Sequence, residues 1–192
     1  MDTSLSPAEA RFTVGVLGSA RLGPGDERWE LAREVGAALA AHGWSVMTGG
    51  YGGLMEATAS GAARQGGHVI GLPMRPWRNL SPSPHAAQLL WCDTYPERFG
   101  HLLDCDAVVA LDGGIGTIAE LTVAWSARQT EPHAPALVVA GHGWPALLAT
   151  IADQMVVGPD DLALVAVAET PQEVIAAIER QVSLRPAPQP RG

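Results

Sequence analysis

The 192-residue chain contains no lysine; all twelve of its basic residues are arginine. That absence excludes a phosphate loop built on lysine, a pyridoxal-phosphate Schiff base and an amine nucleophile. Basic residues are outnumbered by twenty acidic ones, for a formal charge of -8. Duplex binding rests on clustered Lys/Arg, so nucleic acid is not expected as a partner. Cysteine is scarce as well. Cys92 and Cys105 lie thirteen residues apart with no CxxC, and they read as two buried thiols rather than a disulfide or a metal site. The six histidines, at 42, 68, 85, 101, 133 and 142, form no HExxH and no paired spacing, so no metal site is expected. Ser19 has no GxSxG around it. There is no stretch of about 20 apolar residues, and the N-terminal MDTSLSPAEARF has no apolar h-region, which predicts a cytoplasmic protein with no membrane partner.

The residues that are present suffice for one globular domain. Hydrophobic residues make up 47% of the chain, and a chain of this size can bury roughly 70% of its unfolded surface. Aromatics are only 5%, so the core must rest on Ala, Val, Leu and Ile. The domain is expected over 12–182, between an N-terminal tail (1–11) and a disordered C-terminal tail (183–192).

Short apolar runs alternate with amphipathic stretches along the chain. Runs at 12–17, 44–48, 69–72, 89–92, Ala107–Leu111, Ala136–Ala140 and 162–167 read as strands. Helices are expected at 27–42, 54–65, 96–104, from about Gly116 through Gln129, at Trp144–Gln154 and at 171–182. In the helix after Gly116, Ile118, Leu121, Thr122 and Trp125 are placed inward. The segment 73–85 carries four prolines and reads as a loop and a lid. Strand–helix alternation over the whole length implies an α/β fold: a single-domain, Rossmann-like, doubly wound parallel sheet flanked by helices. Ligands of such sheets bind at the carboxyl ends of the strands, where strand order reverses.

Two glycine clusters fall at that edge: Gly49-Gly50-Tyr51-Gly52-Gly53 and Gly113-Gly114-Ile115-Gly116. Each joins a strand to a helix. Glycine lets backbone N–H groups approach a ligand, and the helix N-terminus adds unsatisfied donors and a positive dipole end. An anion can be bound this way without lysine. Tight turns alone would also explain the glycines. Thr117-Ile118-Ala119-Glu120 has the spacing of a capping box, as does Thr170-Pro171-Gln172-Glu173, where no glycine loop precedes. Glu120 is therefore read either as a cap or, because it follows the glycine loop, as a functional carboxylate.

These residues resemble a known family. Thr48-Gly49-Gly50-Tyr51-Gly52-Gly53-Leu54-Met55-Glu56-Ala57 is similar to the first glycine signature of the Lonely Guy (LOG) cytokinin riboside 5′-monophosphate phosphoribohydrolases. Gly113-Gly114-Ile115-Gly116-Thr117-Ile118-Ala119-Glu120 matches their second signature, PGGxGTxxE, from its second position. The wider Rossmann-like group includes molybdenum-cofactor carriers and proteins labelled "possible lysine decarboxylase". The resemblance spans about 12–182. It implies hydrolysis of the N-glycosidic bond of a nucleoside 5′-monophosphate to free base and ribose 5-phosphate; the alternative is a nucleotide or molybdenum-cofactor carrier of the same fold. It implies Arg98 and Glu120 as the catalytic pair, with Arg98 gripping phosphate or ribose through two donors. Gly18, Ser19, Gly49, Gly50, Gly52, Gly53, Met55, Asp112, Gly113, Gly114, Gly116 and Thr117 are the implied nucleotide-binding positions. No cofactor is required, the ligand is a small nucleotide or phosphate, and the assembly is a homodimer in which the helix carrying Trp125 contributes to the interface. A lysine-dependent decarboxylase is excluded. Two positions depart from the family pattern. Tyr95-Pro96-Glu97-Arg98-Phe99 replaces Met-His-x-Arg-Lys, and Asp112 replaces the leading proline. Otherwise Arg98 would form a surface or interface salt bridge with Glu97 or an acidic neighbour, and Asp112 would need a metal, a ribose hydroxyl or a donor beside the anion. Among the tryptophans, Trp29, Trp44, Trp91, Trp125 and Trp144 read as packing, and Trp77 as the one placed to touch a base.

Overall fold

A computed structural model describes residues 11–184; the C-terminal stretch expected to be disordered lies outside them apart from its first residues. Seven parallel strands form one sheet in the order β4-β3-β2-β1-β5-β6-β7. They are β1 (Thr13–Leu17), β2 (Ser45–Thr48), β3 (Val69–Gly71), β4 (Gln88–Leu89), β5 (Ala107–Leu111), β6 (Ala136–Ala140) and β7 (Val165–Ala168). The helices are α1 (Glu27–Ala41), α2 (Leu54–Arg64), α3 (Tyr95–Leu103), α4 (Ile115–Thr130), α5 (Trp144–Gln154), α6 (Pro159–Leu162) and α7 (Pro171–Ser183). The chain winds outward from β1 to β4, then returns to β1's other side and winds to β7. The order thus reverses between β1 and β5, the place where a doubly wound sheet opens a crevice. Among the described residues no helix is long and apolar enough to cross a membrane.

Alternation along the buried strands divides the core in two. Val14, Val16, Val46, Val109 and Val138 face α1, α2 and α7, while Leu17, Met47, Ile70, Val108 and Val139 face α3, α4 and α5. Both cysteines are free and buried in the second layer. Burial pushes the Cys105 thiol up to about 12, so it is chemically inert.

Helices α1 and α2 pack backbone to backbone. A Cβ on Gly61 would overlap the carbonyl oxygen of Arg33, and one on Gly36 the carbonyl oxygen of Thr58. Backbone cannot yield as a side chain can, so Gly61→Ala is expected to cost at least about 3 kcal/mol. Thermal denaturation checks this: the midpoint falls by roughly 6 °C or more, while Gly23→Ala, with open space around it, leaves it unchanged.

The apolar run 162–167 resolves differently from its reading as one strand. Pro159 at the first helical position and the Asp161 carboxylate, which accepts from the Gly158 N–H at 2.8 Å, set a single turn of helix. The strand begins only at Val165. Thr122, expected inward, is exposed, and the buried face of α4 is Thr117, Leu121, Ala124 and Trp125. Trp125 sits in this chain's own core with its indole N–H donating to the Asp161 carbonyl at 2.9 Å. It is therefore packing, and not an exposed interface residue.

Candidate functional site

Three loops meet at the carboxyl edge of the sheet, following β1, β2 and β5. They hold Gly18 and Ser19, then residues 49–53, then Asp112 and residues 113–116. Backbone bonds tie them together: the Ser19 N–H donates to the Asp112 carbonyl at 3.1 Å, and the Leu54 N–H to the Ser19 carbonyl at 2.8 Å. The second bond requires Gly53, whose φ of 73° and missing side chain make room for the Ser19 carbonyl. Met55 is buried with its sulfur against Gly49.

The helices that open from two of these loops lack caps. Asp26, Thr94 and Thr170 cap α1, α3 and α7 with side-chain oxygens, whereas α2 starts at Gly53 and α4 at Gly114 with no side-chain cap. The first intrahelical bond of α4 runs from the Ile118 N–H to the Gly114 carbonyl at 3.0 Å. The N–H groups before it have no partner within the helix and sit at its positive dipole end. Residues 113–116 are exposed. Thr117 is buried, its hydroxyl packed against Gly113 where a Cβ would otherwise stand.

The capping-box reading fails for Glu120 and holds for Glu173. The Glu173 carboxylate accepts from the Thr170 N–H at 3.3 Å while Thr170 Oγ1 accepts from the Glu173 N–H at 3.2 Å. Helix α4 starts at Ile115, two residues before Thr117, so Thr117-Glu120 lies inside it. Glu120 instead accepts from Arg98 Nε at 3.0 Å, with 6% and 11% of the two side chains exposed. Arg98 Nη1 also donates to the carbonyls of Gly49, at 3.3 Å, and Leu72. These carbonyls are the first beyond β2 and β3. One guanidinium thus ties two strand ends to α4.

Arg98 therefore does not pair with Glu97, whose carboxylate accepts from the Asp93 N–H at 2.5 Å. Nor is a two-point grip on a ligand open to it. Both edges of the guanidinium include a nitrogen already engaged, Nε by Glu120 and Nη1 by the carbonyls, leaving Nη2 as the remaining donor. Gly49 has no side chain for the same reason, since a Cβ there would collide with Nη2. Burial pushes the Glu120 carboxyl above its ordinary value of 4.5, with the Arg98 charge and hydrogen bond pulling the other way.

Asp112 does not face the glycine cradle as its position suggested. Its carboxylate lies against the loop after β6, within 2.6 Å of where a Gly141 Cβ would stand. It lines a separate cavity of about 120 Å³ with Glu27, Arg28, His142 and Glu169. Among the described residues no cluster of His, Cys, Asp or Glu is arranged to hold a metal.

The sequence pattern marks only Trp77 as a ring near the ligand, whereas the structure surrounds it with others. Tyr51, Trp77, Tyr95 and Phe99 form a continuous chain of ring contacts, with centroids 5.6, 5.7 and 5.7 Å apart. Arg98 lies 5.9 Å from the Trp77 ring. The segment 73–85 is pinned rather than loose. The Met74 N–H donates to Tyr51 Oη at 2.7 Å and the Ser83 N–H to the Gly50 carbonyl at 2.8 Å.

Known proteins resemble the chain in sequence and in fold. The chain is 35% identical over 160 residues to the cytokinin riboside 5′-monophosphate phosphoribohydrolase of Mycobacterium tuberculosis, covering 79% of this chain and 85% of that one. It is 35% identical over 159 residues to the protein of the same name from Mycobacterium marinum, covering 79% and 84%. Among solved structures, the molybdenum cofactor carrier protein of Chlamydomonas reinhardtii superposes with a TM-score of 0.72 at 25% identity, over 90% of this chain and 99% of that one. A family model, that of the SLOG cluster4 family, matches residues 11–131, which include both glycine loops and the Arg98–Glu120 pair. The chain belongs to the SLOG cluster4 family, with the Lonely Guy phosphoribohydrolases as its relatives.

Proposed function

We propose that the protein is a nucleoside 5′-monophosphate phosphoribohydrolase, releasing free base and ribose 5-phosphate. The observation that carries this reading is the buried Arg98–Glu120 pair, held beside two uncapped helix starts at the reversal point of the sheet. The 35% identity to two named phosphoribohydrolases supports it. The loop N–H groups of Gly114, Gly116 and Thr117 hold the 5′-phosphate, with Gly18, Ser19 and residues 49–53 lining the opposite side. Loss of the base leaves positive charge on the ribose, as in glycoside hydrolysis. Glu120 stabilises that charge and orients the attacking water. Arg98 keeps the Glu120 carboxylate ionised and fixed, which is a positioning role, and offers Nη2 to the ribose or phosphate. Water supplies the hydroxyl at C1′ and the departing base takes up the proton, so no cofactor enters. We assign the reaction to a cytoplasmic homodimer.

The second reading, a carrier with the same cradle and no chemistry, is favoured by one observation, the near-complete superposition on the molybdenum cofactor carrier. Incubation with AMP and N6-substituted AMPs separates the two. Release of free base and ribose 5-phosphate is expected, and nucleotide binding without release would establish the carrier.

A further inference from the structure

Beyond the phosphate and the reacting centre, a ligand at this edge has a third surface within reach. The Trp77 ring packs against Tyr51 at 5.6 Å and Tyr95 at 5.7 Å, and Tyr95 continues to Phe99 at 5.7 Å. Tyr51 is buried, Trp77 and Phe99 are half-buried, and Tyr95 leaves 48% of its surface exposed. The chain of rings thus rises from the core beneath the glycine loop to solvent. A core ladder would end inside, and an isolated surface ring would not be stacked. Aromatic faces held open in this way bind planar π-systems at low entropic cost, because the rings are already fixed by their neighbours.

The position is as informative as the chemistry. The guanidinium that holds Glu120 lies 5.9 Å from the Trp77 ring. The segment bearing Trp77 is fastened to the first glycine loop by the Ser83-to-Gly50 bond at 2.8 Å and to Tyr51 through Met74 at 2.7 Å. The Trp77 carbonyl also accepts from the Leu80 N–H at 3.2 Å, and Leu80 is half exposed. The rings are therefore fixed beside the first glycine loop and the Arg98–Glu120 pair.

We infer that Trp77 and Tyr95 form the base subsite, a stacking shelf that selects nucleotides with a planar aromatic base by contact with its face. The inference rests on the nucleotide reading above and adds to it the residues that read the base. Stacking of this kind tolerates differences in the base edge, so the shelf accepts purines with varied exocyclic groups, while the cradle and Glu120 act on the part common to them all.

The test compares AMP with ribose 5-phosphate, the same ligand without its base, by calorimetry in the Glu120→Gln background, where AMP is not consumed. Trp77→Leu and Tyr95→Leu are each expected to weaken AMP binding roughly tenfold, with ribose 5-phosphate affinity unchanged; Trp77→Phe restores most of the loss. Equal weakening for both ligands would show that the rings only hold the cleft together, and unchanged AMP affinity would show that they do not meet the base. Either result overturns the proposal, as does Glu120→Gln protein that binds no AMP. Turnover with Glu120 in place distinguishes this failure from that of the functional reading. AMP hydrolysis insensitive to Trp77 and Tyr95 sinks the shelf and keeps the hydrolase, whereas shelf-dependent binding without hydrolysis does the reverse.

Discussion

Replacing Glu120 by glutamine is expected to lower the rate of base release by about a thousandfold, the usual scale for loss of a positioned acid–base group. Affinity for the nucleotide should stay within a few-fold of wild type. Glutamine keeps the shape and an acceptor for Arg98 Nε, so the 3.0 Å contact and the clamp on Gly49 and Leu72 survive. What is lost is the negative charge opposite the developing ribosyl cation. The pH dependence follows from the same group. Burial raises the Glu120 carboxyl above 4.5, so kcat/KM should fall as pH drops through that raised value, and the acid limb should vanish in Glu120→Gln. Stability responds oppositely. Between 4.5 and the raised value the folded protein binds more protons than the unfolded chain, so this group's contribution declines as pH rises across that window. A steady-state pH profile beside a pH series of thermal melts measures both.

Removing Arg98 should have the larger structural effect. Arg98→Leu deletes three hydrogen bonds and leaves the Glu120 charge, with 11% of its side chain exposed, without its cation. Breaking a buried pair from one side costs about 3–5 kcal/mol, a fall of roughly 10 °C in Tm for a chain of this length. With its cation gone, the Glu120 carboxyl moves further up, so residual activity should need more alkaline conditions than wild type. The double variant Arg98→Leu/Glu120→Gln removes the stranded charge. It should recover part of the lost Tm and none of the activity. Thermal melts and turnover on the four proteins check this, and additive Tm losses with no recovery would contradict the pairing.

Much of this site was legible before any coordinates, for physical reasons that differ between residues. The parallel sheet followed from continuous apolar runs such as Ala107–Leu111 separated by helical spacing. Two of the three loops at the sheet edge followed from glycine clusters at strand ends, and the third, Gly18-Ser19, from the family resemblance. The role of Glu120 was ambiguous because a capping box and a functional carboxylate share one spacing, and only the start of α4 decides between them. The helix starts at Ile115, ahead of Thr117, with Gly114 as its N-cap. The burial of Arg98 left a readable trace. Arg98 and Leu102 stand at i and i+4 on the buried face of α3, yet an arginine is ordinarily expected at the surface. The two carbonyls that satisfy it are backbone groups about 50 and 26 residues away in sequence, and no side-chain pattern encodes them. The placement of Asp112 against Gly141 depends on that glycine, whose φ of 136° and bare Cα make the space. The ring contacts of Tyr51, Trp77 and Tyr95 likewise join three separate segments.

The absence of lysine bears most directly on the central claim, that backbone N–H groups at an uncapped helix start bind the phosphate next to the Arg98–Glu120 pair. Amide chemical-shift mapping of the labelled protein with AMP, ribose 5-phosphate and adenosine tests it. The account predicts that AMP and ribose 5-phosphate shift the amides of Gly114, Ile115, Gly116 and Thr117 strongly, while adenosine leaves those four nearly unmoved. Phosphate-dependent shifts confined to Glu27, Arg28 and His142, around the cavity that Asp112 lines, would contradict it.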